Sequence, residues 1–307
     1  MRYYLTTMYT LEFCLGFLGN LIVILGYIFC LKKWMSINVY LFNLTVSDMV
    51  FLCTLPRLVH NYIQQDREET SPYFCIINRL ILHLNLYSNI LFMLWVSVDR
   101  YLLILNPFRQ HVLLRRTTAI WVSVFTWVIV CVQMGPLTHL MIQDQQKSNW
   151  TKCNDFSSLN GTHINLVYSL TLTVIGYILP LLAMSFTTCR IALFLKAQEG
   201  IVENGAGRYR KTVQVVAAAT AMFFALYTPY HVMLNVRIAS RLWNGFPICK
   251  VVYIEGAFII TRPILFAHSV INPIFYFLMG DNFRELLLGK LKMLTQRHLS
   301  RNMSFTM

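Results

Sequence analysis

The stretch LILHLNLYSNILFMLWVSVDRY, residues 80–101, decides the fold. Residues 80–98 contain no Asp, Glu, Lys or Arg. As an α-helix that run is about 28 Å long, close to the ~30 Å of hydrocarbon in a bilayer. Lipid offers the backbone no hydrogen bonds, so a continuous apolar run of this length is stable there only as a helix. Charge-free runs recur at 13–31, 117–143, 156–189 and 212–236. Two further apolar segments, 37–62 and 251–280, are interrupted by Asp48 and Arg57 and by Glu255 and Arg262. The pattern predicts seven crossings, an all-α membrane protein built as a seven-transmembrane helix bundle.

Composition agrees. Of 307 residues, 56% are hydrophobic and only 13% charged, about half the charge of a soluble domain, which excludes a soluble enzyme, a disordered chain and a coiled coil. The eight cysteines form no C-x-x-C pair, so a zinc module is not indicated. The loops around Lys32, 99–116, 190–211 and the tail hold 16 Lys+Arg against five acids, and the rest of the chain ten against eight. By the positive-inside bias the C-terminus is cytoplasmic and the N-terminus extracellular. The same bias assigns the basic rim to orientation and anionic membrane lipid, and not to nucleic acid. The first apolar run begins close to Met1 and is too long for a signal core, so it is expected to be its own insertion signal. After Gly280, Phe283, Leu286, Leu287, Leu291 and Leu294 share one side of a segment that also carries Arg284, Lys290 and Lys292, an interfacial eighth helix. The expected organisation is a seven-transmembrane bundle with its eighth helix over 1–294 and a short cytoplasmic tail over 295–307.

An ionisable group at bilayer depth costs about 3 kcal/mol on insertion scales and calls for a reason. Asp48 is the deepest. It reads either as a packing hydrogen bond or as a cation or proton site, with Asn20, Asn89, His268, Ser269 and Asn272 as its expected partners. Asp99-Arg100-Tyr101 closes the third span. Asn20, Asp48, that tripeptide, Trp127, Pro180, Pro229 and Asn272-Pro273-Ile274-Phe275-Tyr276, one set in each successive span, together resemble the rhodopsin-like (class A) G-protein-coupled receptors over essentially the whole chain.

The resemblance implies several further features. Cys75 and Cys153 match the family's disulfide between the third span and the long outer loop. That loop carries the glycosylation sequons at Asn149 and Asn160, whereas the sequon at Asn43 falls inside a span and is rejected. Asp48 becomes a candidate allosteric sodium site, with His268 where the family commonly has asparagine. Asp99, Arg100, Tyr101, Phe223, Tyr227, Pro229, Asn272, Pro273 and Tyr276 become coupling and switch residues, and Pro229 is a reasonable hinge because it removes a backbone hydrogen bond. The implied partners are a heterotrimeric G protein of the inhibitory class, with the Gq class second, and arrestin and receptor kinases; phosphorylation of Thr295, Ser300, Ser304 and Thr306 in the tail is left open by the sequence. The sixth span begins Arg208-Tyr209-Arg210-Lys211, leaving Arg100 no acidic partner there, so basal signalling is expected.

On the outer side Arg79 lies about 31 Å above Arg100, and Arg262 lies about 16 Å above Pro273, which brings both to a similar depth. His83 is one turn below Arg79 on the same face. Arg237 and Arg241 crown the sixth span. Positive charges converging from three helices repel unless an anion or acid sits between them. Each arginine alternatively snorkels to headgroups or pairs with Asp155 or Glu255, the reading preferred for Arg241 and Lys250. For Arg79 and Arg262 a ligand role is preferred, since two opposed guanidiniums suit a small molecule with two carboxylates.

Runs such as Asn78-Arg79, Cys153-Asn154-Asp155-Phe156 and 235–241 resemble the dicarboxylate-sensing branch of the family. That resemblance implies ligand contacts at Tyr9, Tyr62, Arg79, His83 and Arg262, with Asp155 meeting Arg262. Leu234 stands where that branch carries a further arginine, and Arg57 is the expected substitute. A receptor for another oxo or hydroxy acid or for a nucleotide is the nearest rival, and an organic-anion transporter a distant one, because no internal repeat is visible. No H-E-x-x-H or G-x-S-x-G motif suggests an enzyme, and no cofactor is expected.

Overall fold

The computed structural model describes residues 2–64, 72–105, 111–147, 156, 163–198, 206–242, 247–279 and 289, with the side chains of 64, 72, 198, 206–212, 278 and 279 excepted. These form seven helical spans. The first is Arg2–Phe29, the second Ser36–Leu52 continued by Leu55–Gln64, the third Pro72–Leu105 and the fourth Arg116–Lys147. The fifth runs through His163–Thr173, a π-helical turn Val174–Ile178 and Leu179–Gln198. The sixth is Ala206–Leu242, and the seventh is Ile248–Phe266 continued by His268–Met279. The expected eighth helix lies outside the described residues, Gly289 apart.

Six spans are long and apolar enough to cross a membrane on composition alone. The seventh carries Lys250, Glu255 and Arg262 and is broken at Ala267, so it falls short of that measure although it packs against the first and sixth spans like its neighbours. At the break the Ala267 amide still donates to the Pro263 carbonyl at 3.0 Å, whereas the Leu265 carbonyl is taken by the His268 ring at 2.7 Å. Apolar side chains face outward as well as inward. On the fourth span Trp121, Phe125, Val128 and Val132 recur at helical spacing and are exposed, Val132 at 71%. A helix face of this kind is stable against lipid and not against water.

The interior is correspondingly polar. Asn20, Ser47, Asp48, Asn85, Ser88, Asn89, His268, Ser269 and Asn272 are all buried. Side chains are small where the spans approach closely: a Cβ on Gly19 would lie 3.1 Å from Pro273, and one on Gly16 would lie 3.0 Å from Leu52. The Trp127 indole donates to the Asn43 side-chain oxygen at 2.9 Å, tying the fourth span to the second and committing the Asn43 amide to the bundle.

The π turn of the fifth span directly precedes Pro180. A proline's missing N–H and ring clash interrupt the regular ladder, and a widened turn absorbs that interruption. Above the turn, the Ser169 hydroxyl donates to the Asn235 side-chain oxygen at 2.9 Å, and the Asn235 amide donates to the Thr173 hydroxyl at 2.8 Å. This links the fifth span to the sixth.

Candidate ligand site and transmission core

Tyr9 is the hub of the outer site. It is fully buried in the first span and its ring stacks on Tyr62 of the second, with centroids 6.3 Å apart. Its hydroxyl has no hydrogen-bond partner among the described residues and lies within electrostatic range of Arg262, Tyr62, Glu12 and Arg79. The spans therefore bring the two arginines toward one aromatic hydroxyl from the third and seventh helices. Arg262 is 6% exposed, and Arg79 is half-buried. His83 is buried one turn below, its Nδ1 2.8 Å from the Arg79 carbonyl, so that nitrogen is the donor and Nε2 the acceptor of the neutral ring. Tyr62 also holds the start of the first span, its carbonyl accepting from the Arg2 side chain.

Two expected cationic contacts stand differently. Arg237 is buried but paired: its guanidinium lies 2.5 Å from the Glu255 carboxylate and 4.8 Å from the Phe258 ring centroid. The expectation let Arg241 and Lys250 snorkel to headgroups or pair with Asp155 or Glu255. Here Glu255 serves both Arg237 and Arg241, the latter at 3.6 Å, because the sixth and seventh spans cross at that level. Arg57 is exposed and lies 5.4 Å over the Phe74 ring, so it does not join the buried set as a substitute for the arginine that Leu234 replaces. Leu234 itself is buried.

Three residues escaped the sequence reading. Glu12 is 4% exposed, one turn below Tyr9 on the same face, and neither of its carboxylate oxygens has a hydrogen-bond partner among the described residues. The charge-free run starts at Phe13, which hid the fact that the helix begins at Arg2 and carries Glu12 inside. His231 is buried within electrostatic range of His83 and stacks on Tyr177 at 4.5 Å. Asn85, one turn above Asn89, was passed over as an ordinary span residue.

From His231 a continuous ladder of rings runs inward. Tyr177 is 5.6 Å from Phe223, Phe223 is 4.5 Å from Tyr227, and Tyr227 is 5.3 Å from His268. The expected switch residues Phe223 and Tyr227 therefore lie in one contiguous stack, on the helix that carries Pro229. The ladder ends on the Asp48 cluster. Asp48 accepts from Asn85 at 3.0 Å, Asn89 at 3.0 Å, Ser269 at 3.1 Å and Asn272 at 2.7 Å. Asn20, expected there, instead donates to the Gly16 and Ser269 carbonyls, both at 2.8 Å, because its amide points along the first span toward the break in the seventh. At the cytoplasmic end Arg100 pairs with Asp99 of its own helix at 3.1 Å, and Asp99 also accepts from Ser36 of the second span. Tyr276 is buried within range of the Asp48 charge, and Tyr101 is half-buried beside Arg100.

Cys75 is disulfide-bonded, and Cys14, Cys30, Cys53, Cys131, Cys189 and Cys249 are free. Cys153, Asp155, Asn149 and Asn160 lie outside the described residues.

The model of the 7 transmembrane receptor family (rhodopsin family) matches residues 19–276. The chain belongs to that family. Succinate receptor 1 of Mus musculus is 43% identical, the match covering 95% of this chain and 91% of the relative, and that of Rattus norvegicus is likewise 43% identical over 95% and 91%. A purinoceptor of Homo sapiens is 32% identical over 93% of this chain and 76% of the relative. The receptor is thus a class A G-protein-coupled receptor, a multi-pass membrane signal transducer and not an enzyme, and it is more similar to succinate receptor 1 than to that purinoceptor.

Proposed function

We propose that this receptor senses an extracellular small dicarboxylate, with succinate as the reference ligand, and activates an inhibitory-class G protein. It does so with its N-terminus outside the cell and its C-terminus in the cytoplasm of a plasma-membrane bundle. The observation that supports this reading is that Arg262 and, more weakly, Arg79 lie within electrostatic range of the buried Tyr9 hydroxyl. Each guanidinium offers two parallel N–H donors to one carboxylate, so a ligand with two acid groups satisfies both walls at once. Tyr62, stacked on Tyr9, and His83, with Nε2 as acceptor, complete a site in which a protonated acid or hydroxyl of the ligand also finds a partner. Asp155 is the proposed partner of Arg262 from the outer loop, which the proposed Cys75–Cys153 disulfide would hold over the site. The proposed sugar attachment sites are Asn149 and Asn160.

A ligand that draws the third and seventh spans together would displace His83 against His231. The ring ladder through Tyr177, Phe223 and Tyr227 would carry that displacement to the sixth span, where Pro229 is the hinge. Opening of the cytoplasmic end would then expose Arg100 and Tyr101 to the G protein.

The test is a second-messenger readout in cells expressing the full chain, against dicarboxylates, oxo-acids and nucleotides. Succinate or a close dicarboxylate is expected to be the most potent. Arg79→Ala and Arg262→Ala should each lower potency about ten- to a hundred-fold, the worth of a charged hydrogen-bonded contact. A nucleotide that outranks every dicarboxylate would replace this reading with the purine one.

A further inference from the structure

The family resemblance makes Asp48 a sodium ligand, and the residues around it do not fit that ion. Sodium is a hard cation and requires several oxygen ligands converging on one point. Asp48 is fully buried, and a carboxylate only accepts hydrogen bonds. Four donors already converge on it: Asn85, Asn89 and Ser269 at Oδ1, and Asn272 at Oδ2. The three amides must turn their nitrogen ends toward the carboxylate, which points their oxygens away. Two of those oxygens are engaged elsewhere: that of Asn89 accepts from Asn272 at 2.9 Å, and that of Asn85 lies 3.2 Å from the His268 ring. The third, on Asn272, has no partner among the described residues; with the Ser269 hydroxyl oxygen, 3.1 Å from the carboxylate, it makes two neutral oxygens, too few to complete a coordination shell with Asp48.

His268 closes the remaining approach. Its Nδ1 lies 2.7 Å from the Leu265 carbonyl, an acceptor, so that nitrogen carries a hydrogen. Its Nε2 faces the Asn85 oxygen and, at 3.5 Å, the Asp48 carboxylate, again acceptors only. The ring therefore faces hydrogen-bond acceptors on both sides and occupies the space beside the carboxylate. It is 1% exposed and sits beneath Tyr227, at the foot of the ring ladder. We infer that the Asp48 site of this receptor is closed to sodium, and that His268 and the amide nitrogens stand where the ion and its oxygen ligands would be. The inner end of the signal path is then clamped by the protein itself, and the resting state does not depend on extracellular sodium.

The experiment needs no agonist. Thermal unfolding of the purified, full-length, ligand-free receptor is followed in sodium chloride and in choline chloride at equal ionic strength. An ion that binds only the folded state raises the midpoint in a saturable manner. The wild type is expected to unfold at the same temperature in both salts. The double variant His268→Asn/Asn89→Ser removes the ring and supplies a hydroxyl oxygen, and it is expected to gain a saturable sodium-specific rise of several degrees. A saturable sodium-specific rise in the wild type overturns the inference, and so does a folded double variant that ignores sodium. If the double variant does not fold, sodium NMR relaxation on the wild type decides. Saturable broadening that is lost in Asp48→Asn overturns the inference, and its absence supports it.

Discussion

Gly176, in the π turn of the fifth span, lies against Tyr87 of the third so closely that a Cβ on it would sit 2.6 Å from the tyrosine Cε1 and 2.8 Å from the Gln133 amide nitrogen. Tyr87 is 1% exposed and so has little room to move. Gly176→Ala should therefore separate the third and fifth spans at the level of His231. The expected result is a thermal midpoint lowered by several degrees, with an overpacking cost of about 1–3 kcal/mol. A variant as stable as the wild type would mean that Tyr87 swings aside freely.

Glu12 is a carboxyl buried without a donor among the described residues, and such a group costs more than it returns. Glu12→Gln keeps its size and removes the need to desolvate a charge. The thermal midpoint of the ligand-free receptor should rise. A fall of several degrees would reveal that the carboxyl has a partner on which the bundle depends.

Glu255 neutralises Arg237 at the outer rim. Glu255→Gln keeps the shape but releases the guanidinium's charge toward the outer site, so a dicarboxylate should bind severalfold more tightly, measured by displacement of a labelled dicarboxylate from membranes. Glu255→Gln/Arg237→Ala should lose that gain. If Glu255→Gln binds no better, Arg237 does not reach the ligand.

Arg100 is held by Asp99 of its own helix, and the sixth span opens with Arg208, Arg210 and Lys211 where an acid would be needed to hold it across the bundle. Cells expressing the receptor without agonist should signal above untransfected controls, and Asp99→Asn, which loosens Arg100 further, should raise that level. No excess in either case would count against a weakly locked resting state.

The seven spans were legible because a membrane imposes one strong rule, a long run without charge, and the chain obeys it in five spans outright. Asp48 and its partners Asn89, Ser269 and Asn272 were legible for the converse reason, as polar groups breaking that rule at matching depths. What escaped depended on which face of a helix a residue shares. Arg237 and Arg241 both stand near Glu255 in sequence-derived depth, and only the crossing of the sixth and seventh spans decides that Arg237 makes the closer contact. Asn20 was assigned to Asp48 by depth alone, yet its amide satisfies the Gly16 and Ser269 carbonyls. Glu12 was missed because a helix extended past the apolar run at its outer end. His231 was missed because one histidine among Tyr230, Val232 and Met233 carries no periodic signal.

The wide turn at Val174–Ile178 has a bearing on how the fifth helix is read residue by residue. One additional residue in a helical ladder rotates everything beyond it by about 100°. The outer half of the fifth helix, with Ser169 and Thr173, is therefore turned by about that angle from where an unbroken helix would carry it. Deleting a single residue from the turn would produce a smoother helix and a poorer receptor, since both hydroxyls would swing off Asn235 and the outer halves of two neighbouring helices would lose their only described polar stitching at that height.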